Sequence, residues 1–311
     1  MNAHTFVDLR LRTLSRTPGL VAGSPSRSRL FEFHERASAL THLHEVLGGD
    51  TPRAQLFAFH DPQAWFGGPC TPAFLDRAPS DAEALVFFDQ LLSRHAAWLG
   101  PDSLLEVAAD DLELVALCVR HGFGVDSLIL VGDPKIARAR LPAAPLPAEL
   151  ALVPLEAAHL DAVIALHSEV FGREPERCWF GANPRHLERV LRSLEADRAG
   201  QFVLMSGERL VGHAGVEVKR APMWGRVGGV ELLLAPELVG KGLARPLYSA
   251  LLDELVRTGC DTMKGGTNQP AVLHLGRVMG RPWHAFNLRR EAPFTLEHFL
   301  RFAPVRRRPT R

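Results

Sequence analysis

The spacing of apolar residues is clearest in the second half of the chain. Short runs of alternating or continuous apolar character, typical of strands, cover residues 150–156, 201–206, 209–220, 226–235, 260–267 and 283–291. Apolar positions three and four residues apart, typical of helices, cover residues 157–171, 183–200, 243–258 and 270–280. The predicted order is therefore β-α-α-β-β-β-α-β-α-β.

The end of the first half repeats part of this order. Helical spacing at residues 81–100 and 112–123 alternates with strand-like runs at residues 103–111 and 125–133. The same helix-strand-helix-strand succession closes the second half, so we infer an internal structural duplication with weak sequence identity. Ahead of residue 81 the pattern indicates one strand only, residues 54–60.

A stretch rich in proline and alanine, residues 132–151, separates the two halves and has no steady period. We interpret it as a linker. The sequence then divides into a first domain at residues 1–133, a linker at residues 134–149 and a second domain at residues 150–311.

Composition narrows the function classes. The chain has 311 residues and a formal net charge of +1, so no global field indicates a nucleic-acid or membrane partner. No run reaches the ~18 apolar residues of a membrane span, and the N-terminus does not have the pattern of a signal peptide. The four cysteines are far apart and have no metal-ligand spacing, which favours free thiols, a cytoplasmic location and no metal. His42, His44 and Glu45 suggest a surface helix rather than a metal site.

The turn from Val239 to Arg245 joins a predicted strand to a predicted helix. Backbone amides at a helix N-terminus bind phosphate, and glycines allow the close approach that this requires. A P-loop is excluded because Gly242 follows Lys241 where Ser or Thr is needed. A dinucleotide turn is excluded because Arg245 occupies the third glycine position.

The turn instead resembles the pyrophosphate loop of the GCN5-related N-acetyltransferases (GNAT), in which a strand ending in V-x-P is followed by [QR]-x-x-G-x-[GA]. Leu234-Ala235-Pro236 is similar to the strand end, and Gly242 and Ala244 match the last two positions. Val239 stands where the family has Gln or Arg.

A second motif of the family is an Asn followed by A…LY…GF. Asn268 takes the first position, and the residues that follow at about the family distances are Ala271, Leu273, Leu275 and Gly280. The resemblance covers most of residues 150–291. The tandem arrangement is similar to that of mycothiol synthase-type enzymes.

The resemblance implies an α/β (α+β) protein of two tandem acetyltransferase-like domains, each a mixed, mostly antiparallel sheet flanked by helices. It also implies acetyl-CoA, or another acyl-CoA, as cosubstrate. The residues that it assigns to the coenzyme are Leu233, Leu234, Val239, Gly240, Lys241, Gly242, Leu243, Ala244, Arg245 and Asn268.

Candidate catalytic residues are fewer. Glu231 lies in an apolar run on the strand before the turn, where burial would raise its pKa towards that of a general base; an exposed or paired carboxylate is the alternative. Glu217 and His213 are further candidate bases. The tyrosine acid of the family falls at Gly276, so His274 is the candidate substitute, and protonation of the thiolate by water is the alternative.

The first half has no glycine turn between Phe74 and Leu85, and we interpret it as a copy without a coenzyme site. The predicted function is transfer of an acyl group, acetyl in the simplest case, from acyl-CoA to an amine of a small-molecule acceptor by direct attack. A non-catalytic acyl-CoA sensor is the alternative. The sequence indicates neither the acceptor nor the oligomeric state.

Overall fold

The computed structural model describes residues 3–17, 26–62, 70–173, 186–221, 223–260, 262–290, 292 and 294–303. Its strands are β1 (His42–Leu47), β2 (Ala54–Phe59), β3 (Thr71–Arg77), β4 (Ser103–Ala108), β5 (Phe123–Gly132), β6 (Leu150–Pro154), β7 (Gln201–Ser206), β8 (Arg209–Ala221), β9 (Gly225–Leu234), β10 (Met263–Thr267) and β11 (Trp283–Arg290). Its α-helices are α1 (Ala3–Ser15), α2 (Arg27–Ser38), α3 (Ala82–Arg94), α4 (Leu112–Arg120), α5 (Pro134–Arg140), α6 (Leu160–Arg173), α7 (His186–Ala196), α8 (Ala244–Arg257), α9 (Pro270–Val278) and α10 (Leu296–Leu300).

All described strands join one mixed sheet in the order β1-β2-β3-β4-β11-β5-β10-β9-β8-β7-β6. The pairs β3–β4 and β9–β10 are parallel, and the remaining neighbours are antiparallel. The first half thus contributes three antiparallel strands in succession and the second half four, and in each half one parallel strand follows after a crossing helix, which supports the inferred duplication.

Helices cover both faces of the sheet. On one face α1 and α2 pack over β2, β3 and β5, while α6 and α7 pack over β7, β8 and β9. On the opposite face α3, α4, α9 and α10 cover the first half of the sheet, and α5 and α8 cover the second. We call the first the α1/α6 face and the second the α3/α8 face.

The two halves exchange their last strands. Among the described strands, β11 lies between β4 and β5 of the first half and pairs with both, while β5 pairs with β10 and β11 of the second half. The predicted fold class is confirmed, but the two expected sheets are one continuous sheet.

The structure also corrects details of the sequence analysis. The proposed linker contains α5, whose Ala137 and Leu141 are buried against α8. His42 and His44 lie in strand β1 rather than in a surface helix, and His44 is buried with its Nε2 3.0 Å from Gln55 Oε1. The domain boundaries remain a prediction.

Candidate acyl-CoA site

The turn between β9 and α8 leaves backbone amides open at a helix N-terminus. Gly240 (φ +81°) and Gly242 (φ +77°) are in the left-handed region, and a Cβ at either position would meet no atom within 4 Å. No side chain caps α8 at its N-cap residue, Leu243. The amides that open the helix, with their partial positive charge, therefore face solvent and can hold an anion.

The turn is held by one buried side chain, and its other residues are exposed to solvent. The side chain of Leu243 is 4% exposed and packs with Leu233 and Leu247. Val239, Gly240, Lys241 and Gly242 are exposed, and so is Arg245. The predicted coenzyme residues thus divide into an apolar anchor and an open rim that carries two cationic side chains.

Strands β9 and β10 separate next to this turn. Their parallel pairing is confined to Gly228 and Met263, supported by a hydrogen bond from Gly228 N to Thr262 O at 2.9 Å. Gly228 allows close contact with α8 there, because a Cβ would lie 2.2 Å from Leu255 Cδ1. Beyond this pair no further described pairing joins the two strands, and we infer that they separate towards their carboxyl ends. The resulting gap leads to the glycine turn.

Asn268 lies at the end of β10, on the same edge of the sheet as the turn. Its side chain is 1% exposed, donates from Nδ2 to Asp126 O at 3.2 Å, and accepts from Gln269 Nε2 at 3.1 Å. The structure therefore places Asn268 beside the gap but ties it to β5, so its predicted contact with coenzyme stays a prediction.

Glu231 does not have the buried position that the sequence predicts. Its side chain is exposed on the α1/α6 face of β9, two residues before the buried Leu233. The expected rise of its pKa through burial is therefore not supported by its position. An exposed carboxylate beside the gap can still accept a proton directly or through water.

His274 lies on the outer face of α9, where it is exposed, whereas Leu273, Leu275 and Gly276 are buried. Gly276, at the position of the family tyrosine, packs against β5: a Cβ there would lie 2.5 Å from Leu130 Cδ1. Residues two apart on a helix point in different directions, so His274 does not reach the space that a side chain at 276 would occupy.

The remaining candidate catalytic residues are either buried or paired with another side chain. His213 is 1% exposed beneath α6, with its Nδ1 3.0 Å from His167 Nε2, and burial lowers its pKa to about 4. Glu217 is exposed and forms an ion pair with Lys219 at 3.0 Å. Tyr248 is buried in α8, where desolvation raises its pKa, which fits a packing role.

The corresponding region of the first half differs in its strand pairing and in its helix cap. Strands β3 and β4 pair continuously from Thr71 and Ser103 to Leu75 and Val107. The Asp81 side chain caps α3 by accepting from Ala84 N at 3.0 Å. The first half therefore has neither the gap between its parallel strands nor the uncapped helix.

A cavity of about 280 Å³ beside the end of β3 has four arginines among its lining residues, but these are engaged by protein groups. Arg77 is fully buried and donates to both carboxylate oxygens of Asp111 at 2.6 and 2.8 Å, and Arg53 pairs with Glu83 at 2.6 Å. This neutralisation does not favour an anion there.

Comparison with known proteins finds a family model that matches part of the second half of the chain. Residues 163–277 match the model of the acetyltransferase (GNAT) family. No curated protein matches the sequence. The structure is similar to a GCN5-related N-acetyltransferase from Sphaerobacter thermophilus, with a TM-score of 0.58 and 14% identity over 92% of this chain and 91% of that one.

An acetyltransferase of the GNAT family from Colwellia psychrerythraea is also similar, with a TM-score of 0.51 and 13% identity over 94% of this chain and 98% of that one. At this identity the likeness shows the fold alone. Among the described residues no helix is long and apolar enough to cross a membrane. The same part of the chain contains no group of three or more His, Cys, Asp or Glu side chains arranged to hold a metal ion.

Sequence reasoning missed one feature of this site. Gly228-Gly229 and Gly265-Gly266 lie within β9 and β10, the two strands that border the gap. Glycine inside a strand weakens it and marks a close approach of a ligand or of another backbone. The two glycine pairs are therefore the feature of the sequence that could have indicated the gap between β9 and β10.

Proposed function

We propose that this protein is an acyl-CoA-dependent N-acetyltransferase that transfers an acetyl group to the amine of a small-molecule acceptor. The observation that carries the proposal is the combination of diverging parallel strands with an uncapped, glycine-flanked helix at their ends. The first half also has a parallel strand pair joined by a crossing helix, and it has neither feature.

The amides of Gly240 and of Gly242 to Arg245 would hold the pyrophosphate of the coenzyme, while the amide of Lys241 donates to Leu238 O at 3.2 Å. The side chains of Lys241 and Arg245 would supply positive charge nearby. Leu233 and Leu234 would line the pantetheine arm in the gap, and Asn268 would border it. An amide of β9 near Leu234 would donate to the thioester carbonyl, the oxygen on which negative charge develops.

In the reaction the acceptor nitrogen, once neutral, attacks the thioester carbon within a ternary complex. A new C–N bond forms, the C–S bond breaks, and coenzyme A leaves as the thiolate. We assign Glu231 as the base that takes the proton of the acceptor, directly or through water.

The departing thiolate needs little help from an acid. A thiol ionises with a pKa near ~8.5, so the thiolate is already a stable leaving group and water can protonate it. The exposed position of His274 on α9 does not support the acid role that the sequence suggested for it.

The proposal is tested by Gly242→Glu. A carboxylate placed in the turn repels the pyrophosphate, so acetyl-CoA binding measured by calorimetry should be lost. The matched control is Gly207→Glu, because Gly207 also has positive φ (+59°) and open space but lies in the hairpin between β7 and β8. Both replacements put a side chain on a left-handed backbone, and binding retained in Gly242→Glu would contradict the proposed site.

A non-catalytic acyl-CoA sensor is the second candidate, favoured by the tight packing of Gly276 at the position of the family tyrosine. The two functions differ in one measurement. An enzyme should release coenzyme A faster when primary amines are added to the protein and acetyl-CoA. A sensor should bind acetyl-CoA and show no amine-dependent release with any member of a broad panel.

A further inference from the structure

A strip of small and polar residues crosses the centre of the α1/α6 face. Glu231 and Gly266 are exposed there, Gly229 and Asn287 are half-buried, and Ser127 is buried beside Asn287. Helices α1 and α2 pack on one side of this strip and α6 and α7 on the other. We call Gly229, Glu231, Gly266, Ser127 and Asn287 the central strip.

The strip lies on the α1/α6 face because of strand register. Met263 is buried against α8 on the opposite face, and Gly228 is paired with it. Glu231 and Gly266 are each the third residue after that pair, so both point to the α1/α6 face. They therefore lie at the same level on either side of the gap between β9 and β10.

The far wall of the strip comes from the exchanged strands. Ser127 of β5 and Asn287 of β11 are direct neighbours, with Asn287 Nδ2 donating to Ser127 Oγ at 3.2 Å. A Cβ on Gly266 would lie 3.3 Å from Ser127 Oγ, so this pair stands directly beside Gly266. The first half thus supplies a hydroxyl group next to the gap of the second half.

The two walls differ in their polar groups. Glu231 gives the β9 side a carboxylate, which suits an amine. On the other side Arg289 donates to Asp126 at 2.8 Å, so those two charges compensate each other. The half-buried amide of Asn287, held in place by the buried Ser127 hydroxyl, suits a neutral hydrogen-bonding group.

We propose that the central strip is the acceptor site, and that Ser127 and Asn287 make it selective for primary amines that also carry a hydroxyl or carboxamide group. This inference rests on the proposed function. It assigns to the first half a direct part in substrate choice through strand β5.

The test places a cysteine in the strip and uses chloroacetyl-CoA as the probe. The thiolate attacks the chloromethyl carbon, forming a C–S bond as chloride leaves, and the adduct is read by intact mass. Asn287→Cys and Glu231→Cys should both be alkylated at least about tenfold faster than Val278→Cys, because bound coenzyme holds the reactive carbon near them. Val278 is exposed on α9, on the opposite face. Excess coenzyme A should suppress the difference in alkylation rate. The unmodified protein gives the background alkylation of the native cysteines.

The outcomes separate the inference from the function on which it rests. If coenzyme A does not bind by calorimetry, the proposed function is overturned. If it binds but Asn287→Cys reacts no faster than Val278→Cys, the inference is overturned and the proposed function stands. Gly266→Cys is a second probe of the same wall, and its failure to react alongside Asn287→Cys would also overturn the inference.

Selectivity is tested with matched amines, ethanolamine against ethylamine and glucosamine against cyclohexylamine. The unmodified protein should prefer the hydroxyl-bearing member of each pair. Asn287→Leu should reduce that preference about fivefold or more, with unchanged affinity for acetyl-CoA, because one hydrogen-bonding partner is lost. An equal loss of activity with both amines of each pair would show that Asn287 has only a structural role, and it would overturn the proposed selectivity.

Discussion

At the scale of single residues, the site depends on positions that lack a side chain and on a helix end that lacks a capping side chain. Two glycines with positive φ and an uncapped helix create the anion cradle, while in the first half one aspartate side chain, Asp81, satisfies the corresponding helix end. Both connections begin with Ala-Pro, at Ala78-Pro79 and Ala235-Pro236, but α3 begins soon afterwards at Ala82 and leaves no room for a glycine turn.

Replacement of Glu231 by glutamine tests the assigned base. Glutamine keeps the size of the side chain and removes its proton affinity, so kcat should fall by about 100-fold or more while the affinity for acetyl-CoA is unchanged. Glu217→Gln is the matched control, since Glu217 is an exposed carboxylate of the neighbouring strand, and its kcat should stay near that of the unmodified protein. Equal effects of the two changes would remove Glu231 from the mechanism.

At the scale of secondary-structure elements, the second half was largely predictable and the first was not. Helix α7 has apolar residues at regular helical spacing, and β7, β8 and β9 are separated by clear turns, so their residues alone identify them. Strands β2, β3 and β4 are buried along their whole length, so their short apolar runs carry little periodic signal.

The α9 helix gives a prediction at this scale. Gly276 packs closely on Leu130, so Gly276→Tyr should not restore an acid but should lower the free energy of unfolding by about 1–3 kcal/mol through overpacking. His274→Tyr, on the exposed face of the same helix, should change it by less than about 0.5 kcal/mol. Urea denaturation measures both. An unchanged stability of Gly276→Tyr would show that α9 can shift away from β5.

At the scale of the whole molecule, buried histidines make stability depend on pH. Burial lowers the pKa of His34 and His213 to about 4 and that of His284 to about 3. An unfolded histidine titrates near ~6.5, so between these values the unfolded chain binds more protons than the folded one. The histidines therefore favour folding fully above this window and lose that contribution as the pH falls towards 4.

The free energy of unfolding should be lower at pH 5 than at pH 7 by about 1–2 kcal/mol for each of these histidines. Burial opposes ionisation of Glu106, but Arg10 and Lys264 prevail and hold its pKa at about 2, so its contribution is lost only at lower pH. Urea titrations at pH values from 5 to 8 measure the slope of the free energy of unfolding against pH. His34→Gln should reduce it, whereas His274→Gln, at an exposed site, should not.

The exchange of β5 and β11 leads to a prediction that sequence periodicity could not supply, because strand order depends on contacts between distant segments. In the described part of the chain the strand partners of β11 are β4 and β5, both of the first half. A fragment of residues 150–311 would therefore leave β11 and one edge of β10 without partners, and exposed strand edges favour aggregation. Expressed alone, this fragment should not show a cooperative unfolding transition or bind acetyl-CoA.

Co-expression with residues 1–149 should recover both properties, because the missing partners of β10 and β11 are then supplied in trans. A fragment of residues 1–149 alone should also fail to fold, since β5 pairs only with strands of the second half. Cooperative unfolding of residues 150–311 alone, with acetyl-CoA bound, would show instead that β11 can close its own half. The shared sheet would then not be required for the site, and the first half would act on the reaction only through Ser127.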